Sequence, residues 1–326
     1  MLNPPTGSRI SRRTFVKRST RLVGGLIATQ FLGWSPHQLF AEAGSESHEL
    51  IILHTNDMHG RIAENDSIGM AKLSTVIQQF RAENEHVLVL DGGDTIHGLP
   101  IVNEVQGESA VTVMNAVGYD VMVPGNHDFN FGHERLVELE HRMEFDLVAA
   151  NLYRDGELLF KPSVMKNFNG FRVGVFGLVT PDTYNAGNPR YIRGLEITDM
   201  AEAAAYYVRQ LREEGADMVI ALGHAGLYGD YPSTGVIDRV SGIDLFVDGH
   251  SHSRLPEGMM FEETLIVQAF EYLKDLGIVH VYAENGKVSI EASLLSADQL
   301  RDTKEDPGVR QLVDEAEEEW IRRRFG

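Results

Sequence analysis

A short apolar run that ends in a polar cluster occurs five times in this sequence, and this pattern constrains the fold more than any other feature. The clearest example is residues 121–130, V-M-V-P-G-N-H-D-F-N, where Pro124 and Gly125 stop a β-branched run just before Asn126 and His127. The other four runs are at residues 50–53, 87–90, 218–222 and 245–247. Because the carboxyl ends of parallel strands meet at one edge of a sheet, the pattern predicts an α/β fold with a polar site at that edge.

The residues that follow these runs are of the types that bind metal ions. In chain order they are Asp57, His59, Asp94, Asn126, His224, His250 and His252. Residues two apart in an extended segment point to the same side, so each D-x-H or H-x-H pair can hold one ion. Oxygen and imidazole ligands without sulfur suit Mn, Fe, Zn or Co better than Ca or Mg. The set predicts two ions about 3.5–4 Å apart that share Asp94, as in two-metal hydrolytic sites.

Composition excludes several classes of partner and site. The sequence contains no cysteine, so it forms neither a disulfide nor a thiolate metal site. Its formal net charge is −19, and such a surface repels nucleic acid and anionic lipid, so no polymeric nucleic-acid partner is expected. An anionic substrate therefore requires local positive charge, which bound metal ions would supply.

Residues 1–43 are predicted to be an export signal. They contain S-R-R-T-F-V-K at 11–17, a mildly apolar run at 22–34 that is too short to span a bilayer, and A-E-A at 41–43. The paired Arg12 and Arg13 indicate the twin-arginine translocase as a partner and a periplasmic or extracellular location. An uncleaved membrane anchor is the alternative, and the A-x-A end favours cleavage.

The rest of the chain is predicted to be a catalytic domain at 44–304 and a C-terminal helix at 305–326. Strand-like and helical segments alternate as far as residue 252, and β-rich segments follow. A strand is expected at 146–152. Residues 180–194 have no periodicity, which predicts a loop.

The order of the motifs resembles the calcineurin-like metallophosphoesterases. D-x-H, G-G-D, G-N-H-D, G-H and G-H-x-H follow one another as in that family. Residues 52–60, I-L-H-T-N-D-M-H-G, are similar to its 5′-nucleotidase branch, which includes UDP-sugar hydrolases and 2′,3′-cyclic phosphodiesterases, and segments 93–95, 159–162 and 187–189 support this. The resemblance covers about residues 48–320 and implies a four-layer α/β/β/α sandwich.

The resemblance also implies a role for each motif residue. One ion would lie on Asp57, His59, Asp94 and His252, and a second on Asp94, Asn126, His224 and His250. A metal-bridging hydroxide would attack phosphorus, while His127 would stabilise the transition-state charge or protonate the leaving alkoxide. The expected reaction is hydrolysis of nucleoside 5′-monophosphates or related phosphate esters. His54, His97 and His133 lie near the motifs and are candidates for supporting roles.

Two departures from the family pattern affect these expectations. Family nucleotidases have an Asp that orients the catalytic His where this sequence has Asn130, so Asp128 becomes an alternative orienting residue. Family nucleotidases also carry a second domain that clamps the base, whereas this sequence ends where a linker helix would finish. Specificity is then expected from the loop at 180–194, from a homo-oligomer or from a separate partner.

Three other functions compete with the nucleotidase hypothesis. Relatives that act on 2′,3′-cyclic nucleotides resemble the G-N-H-x-F-N version of the motif found here, which ends in Asn130, and this makes a cyclic-nucleotide phosphodiesterase the first alternative. Thiosulfohydrolase-like sulfur-ester hydrolysis uses the same scaffold, but residues 54–60 and 187–189 favour a nucleotidase. A non-catalytic metal-binding module would have lost a ligand or His127, and all are retained.

Overall fold

The computed structural model describes residues 47–64, 66–186, 190–284 and 286–326. The predicted export signal and segment 187–189 lie outside the described residues. Residues 46–326 form one compact unit. No helix among the described residues is long and apolar enough to cross a membrane.

The described residues contain fifteen strands and eight α-helices. The strands are β1 (Ser47–Thr55), β2 (Val87–Asp91), β3 (Val121–Met122), β4 (Asp146–Leu147), β5 (Leu152–Arg154), β6 (Glu157–Leu158), β7 (Ser163–Phe168), β8 (Phe171–Val179), β9 (Leu195–Ile197), β10 (Met218–His224), β11 (Leu245–Val247), β12 (Met259–Phe261), β13 (Thr264–Val267), β14 (Asp275–Glu284) and β15 (Lys287–Ser296). The helices are α1 (Met70–Glu83), α2 (Pro100–Asn103), α3 (Glu108–Val117), α4 (His133–Glu140), α5 (Thr183–Ala186), α6 (Met200–Glu213), α7 (Ser233–Ile237) and α8 (Pro307–Phe325).

Two six-stranded sheets carry the fold. The first has the order β15-β14-β1-β2-β3-β4 and the second β12-β13-β11-β10-β8-β7, while β6-β5-β9 form a small third sheet. The pairs β1–β2, β2–β3 and β3–β4 are parallel, as are β8–β10, β10–β11 and β11–β13. Each large sheet therefore has a parallel centre whose strands end at a common edge.

Alternation along β10 shows how the layers stack. Met218, Ile220 and Leu222 belong to the core that contains the first sheet, whereas Val219 and Ala221 belong to a second core with α6 and α7. Since successive strand residues face opposite sides, the second sheet packs on the first sheet with one face and on helices with the other. Apolar side chains of α1 and α3 join the first core. The predicted four-layer sandwich is confirmed.

Two local predictions differ from the structure. The strand expected at 146–152 is divided into β4 and β5, because Ala149 N donates to the Lys161 carbonyl and Ala150 N to the Gly177 carbonyl. The chain thus leaves the first sheet and bonds to the second between the two strands. The loop expected at 180–194 contains the four-residue helix α5.

The C-terminal helix packs against the same compact unit. Val309 and Val313 are buried in the first core, and α8 contacts α1 and α3. The side chain of Asp306 caps its start by accepting hydrogen bonds from the N–H groups of Gly308 and Val309.

Candidate active site

The predicted ligand residues lie at the carboxyl ends of β1, β2, β3, β10 and β11, and direct contacts join six of them. Nε2 of His252 is 3.3 Å from Asp57 Oδ1 and 3.3 Å from Nε2 of His59. The ring centroids of His224 and His250 are 5.1 Å apart. The seventh, Asn126, follows Gly125, whose backbone lies against Asp94.

The donor atoms form two clusters, each tight enough to surround an ion. One consists of Asp57, His59 and His252, and the other of Asp57, Asp94 and His224. Asp57 is common to both, whereas the sequence pattern predicted Asp94 as the shared ligand. Asp94 nevertheless reaches both groups, because its Oδ2 is 3.3 Å from His224 Nε2 and 3.8 Å from His59 Nε2. Two carboxylates thus lie at the centre of the site.

Left-handed backbone conformations place these side chains. Asp57, His59, Asp94, His250 and His252 have φ values of 51°, 45°, 58°, 72° and 49°. Non-glycine residues rarely adopt this region, and such strain persists only where the surrounding structure imposes it. Strand ends that turn this sharply bring ligands from both sheets to one place.

Gly125 allows the loop after β3 to approach Asp94. A Cβ atom on Gly125 would overlap the Asp94 carboxylate and come close to its backbone nitrogen. The N–H of His127 then donates to Asp94 Oδ1 at 2.7 Å. The glycine in the G-N-H-D motif is thus required by packing between two site loops.

Two buried atoms show that the site suits divalent ions. Nδ1 of His224 is 2.7 Å from the carbonyl oxygen of Gly92, so Nδ1 carries a proton and Nε2 is the nitrogen left to bind an ion. Asn126 Oδ1 is buried with no hydrogen-bond partner among the described residues, and His224 Nε2, also buried, makes no well-aligned hydrogen bond although Asp94 Oδ2 lies 3.3 Å away. Buried polar atoms are normally paired, and a cation would pair both of these. The donor set therefore fits the metal ions that the sequence predicts.

The electrostatics of the site also favour bound cations. Burial would raise the pKa of Asp94, but the imidazoles of His224 and His59 together hold it below its ordinary value. Burial would lower the pKa of His224, yet the carboxylates of Asp94 and Asp57 raise it to about 10. Burial lowers the pKa of His59 to about 4. The two carboxylates thus draw positive charge to His224, where an ion would replace a proton.

His127 lies beside the clusters and is held by Asn130. The Nδ2 amide of Asn130 is 2.9 Å from His127 Nδ1, which leaves the imidazole proton on Nε2. The rings of His127 and His59 are 5.5 Å apart, and His97 stacks on His127 at 5.4 Å. His127 can therefore present an N–H to a substrate bound at the clusters.

Asp128 lies elsewhere than the orienting hypothesis requires. Its Oδ2 accepts hydrogen bonds from the N–H groups of Asp94 and Gly125, and its Oδ1 from those of Thr95 and Ile96, all at 2.8–3.0 Å. The carboxylate thus ties together two site loops, and it is Asn130 that contacts the His127 ring. Burial, followed by the charge of Asp94, raises the pKa of Asp128 to about 6.

Replacing Asp128 by asparagine is expected to lower the free energy of unfolding by about 2–4 kcal/mol, because an amide NH₂ cannot accept from two backbone N–H groups. Urea denaturation of metal-free protein measures this, with Asp230→Asn, at an exposed position, as the matched control. Unchanged stability together with a lower kcat would instead assign Asp128 an orienting role.

Several supporting residues were missed by sequence reasoning. Glu271 Oε2 is 2.6 Å from His252 Nδ1, and Asn56 Nδ2 donates to Asp57 Oδ2 at 2.7 Å. Buried Asp248 accepts from the N–H groups of Ala225 and Gly226 behind the loop that follows β10. Asn56 is next to the D-x-H motif and Asp248 precedes G-H-x-H, so their positions beside motifs could have indicated a supporting role. Glu271 lies beside no motif, so nothing in the sequence pointed to it.

The segment around α5 borders the site. Asp182 Oδ2 is 3.4 Å from His250 Nε2, and α5 packs against the short 3-10 helix His127–Phe129. The hydroxyl of Tyr184 accepts from Ile197 N at 2.7 Å and donates to the Leu195 carbonyl, while the residue as a whole is 41% exposed. The fold therefore fixes the hydroxyl and leaves part of the residue exposed.

The three histidines considered for supporting roles differ in setting. Only His97 contacts a predicted catalytic residue, through its stacking on His127. His54 lies in β1 against Gly277, where burial lowers its pKa to about 3. His133 Nδ1 donates to the carbonyl of Tyr191 and its Nε2 contacts Arg154.

Residues 50–254 match the calcineurin-like phosphoesterase family. The chain belongs to that family. The phosphoesterase match extends from the middle of β1 through the G-H-x-H motif, so it includes every predicted ligand. The predicted resemblance is confirmed.

Individual relatives agree with this assignment. A 5′-nucleotidase of Vibrio cholerae is 32% identical over 303 residues, which cover 82% of this chain and 55% of that protein. The chain spans about half the length of the curated relatives it matches.

Solved structures of proteins with different names share the fold. A calcineurin-like phosphoesterase from Bacillus subtilis matches with a TM-score of 0.74 at 23% identity, over 85% of this chain and 99% of that one. The sulfate thiohydrolase of Thermus thermophilus matches with a TM-score of 0.74 at 21% identity, over 82% and 60% of the two chains. Because proteins with different names share this fold, the fold alone does not select a substrate.

Proposed function

We propose that this chain is a metal-dependent phosphoric ester hydrolase that acts on nucleoside 5′-monophosphates or related nucleotides. The observation that carries the proposal is the pair of ligand clusters around Asp57, with the unpartnered atoms of His224 and Asn126. The curated 5′-nucleotidases among its relatives support the choice of a nucleotide substrate.

Two divalent ions, when bound, would neutralise phosphoryl oxygens and lower the pKa of a water molecule. Asp57, His59 and His252 would hold one ion, and Asp94, Asn126, His224 and His250 the other; Asp57 and Asp94 each lie close to ligands of both sets. His127 would stabilise developing charge by donating a hydrogen bond from Nε2 to a phosphoryl oxygen or to the leaving oxygen, and Asn130 would keep the proton on Nε2 by donating to Nδ1.

A metal-reconstituted activity screen tests the proposal. Metal-free protein is loaded with Mn²⁺, Zn²⁺, Co²⁺ or Fe²⁺ and assayed against nucleoside 5′-monophosphates, ribose 5-phosphate and an activated aryl phosphate. We expect phosphate release from nucleotides with at least one metal and none after chelation. Absence of turnover with every metal, in protein that binds two equivalents, would overturn the hydrolase assignment.

Asn130 favours one second candidate, a 2′,3′-cyclic-nucleotide phosphodiesterase. Its amide occupies the position next to His127 Nδ1 where family nucleotidases have a carboxylate. The screen therefore includes a 2′,3′-cyclic nucleotide. A higher kcat/KM for the cyclic diester than for the monophosphate would favour this candidate.

The proposed organisation is an export signal at 1–43, a catalytic domain at 44–304 and a C-terminal helix at 305–326.

The double variant Arg12→Lys, Arg13→Lys is expected to leave activity in the cytoplasm, because the twin-arginine route requires both arginines. Fractionated cells report on this, and Lys17→Arg, which keeps the charge and the pair, is the control. Normal export of the double variant would indicate the general secretory route.

A further inference from the structure

His252 is held by a carboxylate on the side that faces away from the clusters. Its Nε2 lies 3.3 Å from Asp57 Oδ1, and its Nδ1 lies 2.6 Å from Glu271 Oε2. Because a carboxylate only accepts, the contact with Glu271 keeps a proton on Nδ1. Nε2 faces the carboxylate of Asp57, which belongs to the cluster, so an ion bound there would take the place of a proton on Nε2. Outer carboxylates fix the tautomer and the ring orientation of metal-binding histidines in this way.

The ammonium group of Lys274 holds the carboxylate of Glu271. Lys274 Nζ is 3.2 Å from Glu271 Oε1, and it also lies 5.0 Å and 5.2 Å from the ring centroids of Phe270 and Tyr272. The two rings cover part of the ammonium group, and cations bind well over aromatic faces.

The segment that carries Glu271 is strained and tied to the first cluster. Phe270, Tyr272 and Leu273 have φ values of 65°, 58° and 55°. Asn56 Nδ2 donates to the Phe270 carbonyl at 2.7 Å, and Tyr272 N donates to the Asp57 carbonyl at 2.8 Å. Three left-handed residues in a row of four require such support, and they turn Glu271 toward His252.

We propose that Glu271, supported by Lys274, is a positioning residue that prepares His252 for one of the two metal ions. The inference rests on the proposed two-metal function and deepens it. Glu271 contacts His252, whereas His224 is oriented by the Gly92 carbonyl and His250 faces Asp182. Loss of Glu271 therefore weakens the binding of one ion and leaves the binding of the other unchanged.

Calorimetric titration of metal-free protein with Mn²⁺ tests this without relying on turnover. Glu271→Ala is expected to weaken one of two binding equivalents by about 10- to 100-fold, the usual effect of losing such a partner, and to leave the other unchanged. Glu271→Gln, whose amide oxygen can still accept from Nδ1, is expected to recover part of that affinity. Lys274→Met should have a smaller effect on the same equivalent.

Glu263→Gln and Lys304→Met, at exposed positions outside the site, are the matched controls. Thermal unfolding of the metal-free variants establishes that each folds. If Glu271→Ala does not fold, Glu271→Gln replaces it and is expected to show a smaller weakening of the same single equivalent. Unchanged binding in Glu271→Ala, or equal weakening of both equivalents, would overturn the inference. If the wild type itself binds fewer than two equivalents or hydrolyses no ester, the proposed function fails instead.

Discussion

Replacing His127 by alanine is expected to lower kcat for nucleoside monophosphates by about 10²- to 10⁴-fold while both metal ions remain bound, because a positioned proton donor contributes that much. The structure places its ring beside His59 with the proton on Nε2, and its side chain belongs to neither ligand cluster. Steady-state kinetics and metal analysis of the same preparation measure the two quantities. His141→Ala, whose side chain is 75% exposed, is the control.

The substrate distinguishes two roles for His127. An activated aryl phosphate has a leaving group that needs little protonation, so its turnover should fall less than that of a nucleotide. An equal fall for both substrates would mean that His127 stabilises charge on the transferring phosphoryl group. Full activity of the variant on nucleotides would exclude either role.

Asp57→Asn is expected to weaken the binding of both metal ions, since Asp57 belongs to both clusters. His224→Ala and His252→Ala should each weaken the binding of one ion. Each histidine variant should lose more metal affinity than the roughly 10- to 100-fold that is typical when a residue hydrogen-bonded to a ligand is removed, because here the ligand itself is removed. Elemental analysis at equal free metal concentration measures the occupancy. Loss of both ions from each histidine variant would contradict the division into two clusters.

The sheet edge on which the site lies could be predicted because strand signals are local. Each apolar run is followed within a few residues by Asp, Asn or His, and parallel strands bring these ends together wherever the runs occur in the chain. The sandwich followed from the same runs together with the family motifs. Neither inference required knowledge of a single side-chain contact.

The roles of Asp128 and Glu271 could not be predicted for the opposite reason. Asp128 is near His127 in sequence, but the backbone N–H groups of a loop 32–34 residues away determine where its carboxylate points. Glu271 contacts His252 from a turn in which three neighbours adopt left-handed conformations. The contacts that Asp57 makes with His252 and His224 depend on how the loops of the two sheets approach each other, for which the sequence carries no local signal.

The left-handed backbone of the ligand residues sets a limit on engineering this protein for heat resistance. A left-handed conformation costs about 1–2 kcal/mol per non-glycine residue, so glycine at His59 or His252 would relax the chain while deleting a ligand. Screens that select only for resistance to unfolding would therefore tend to recover inactive proteins changed at these strand ends. A durable and active variant would have to gain its stability from positions such as the antiparallel edges, where β7, β12 and β15 hold no ligand.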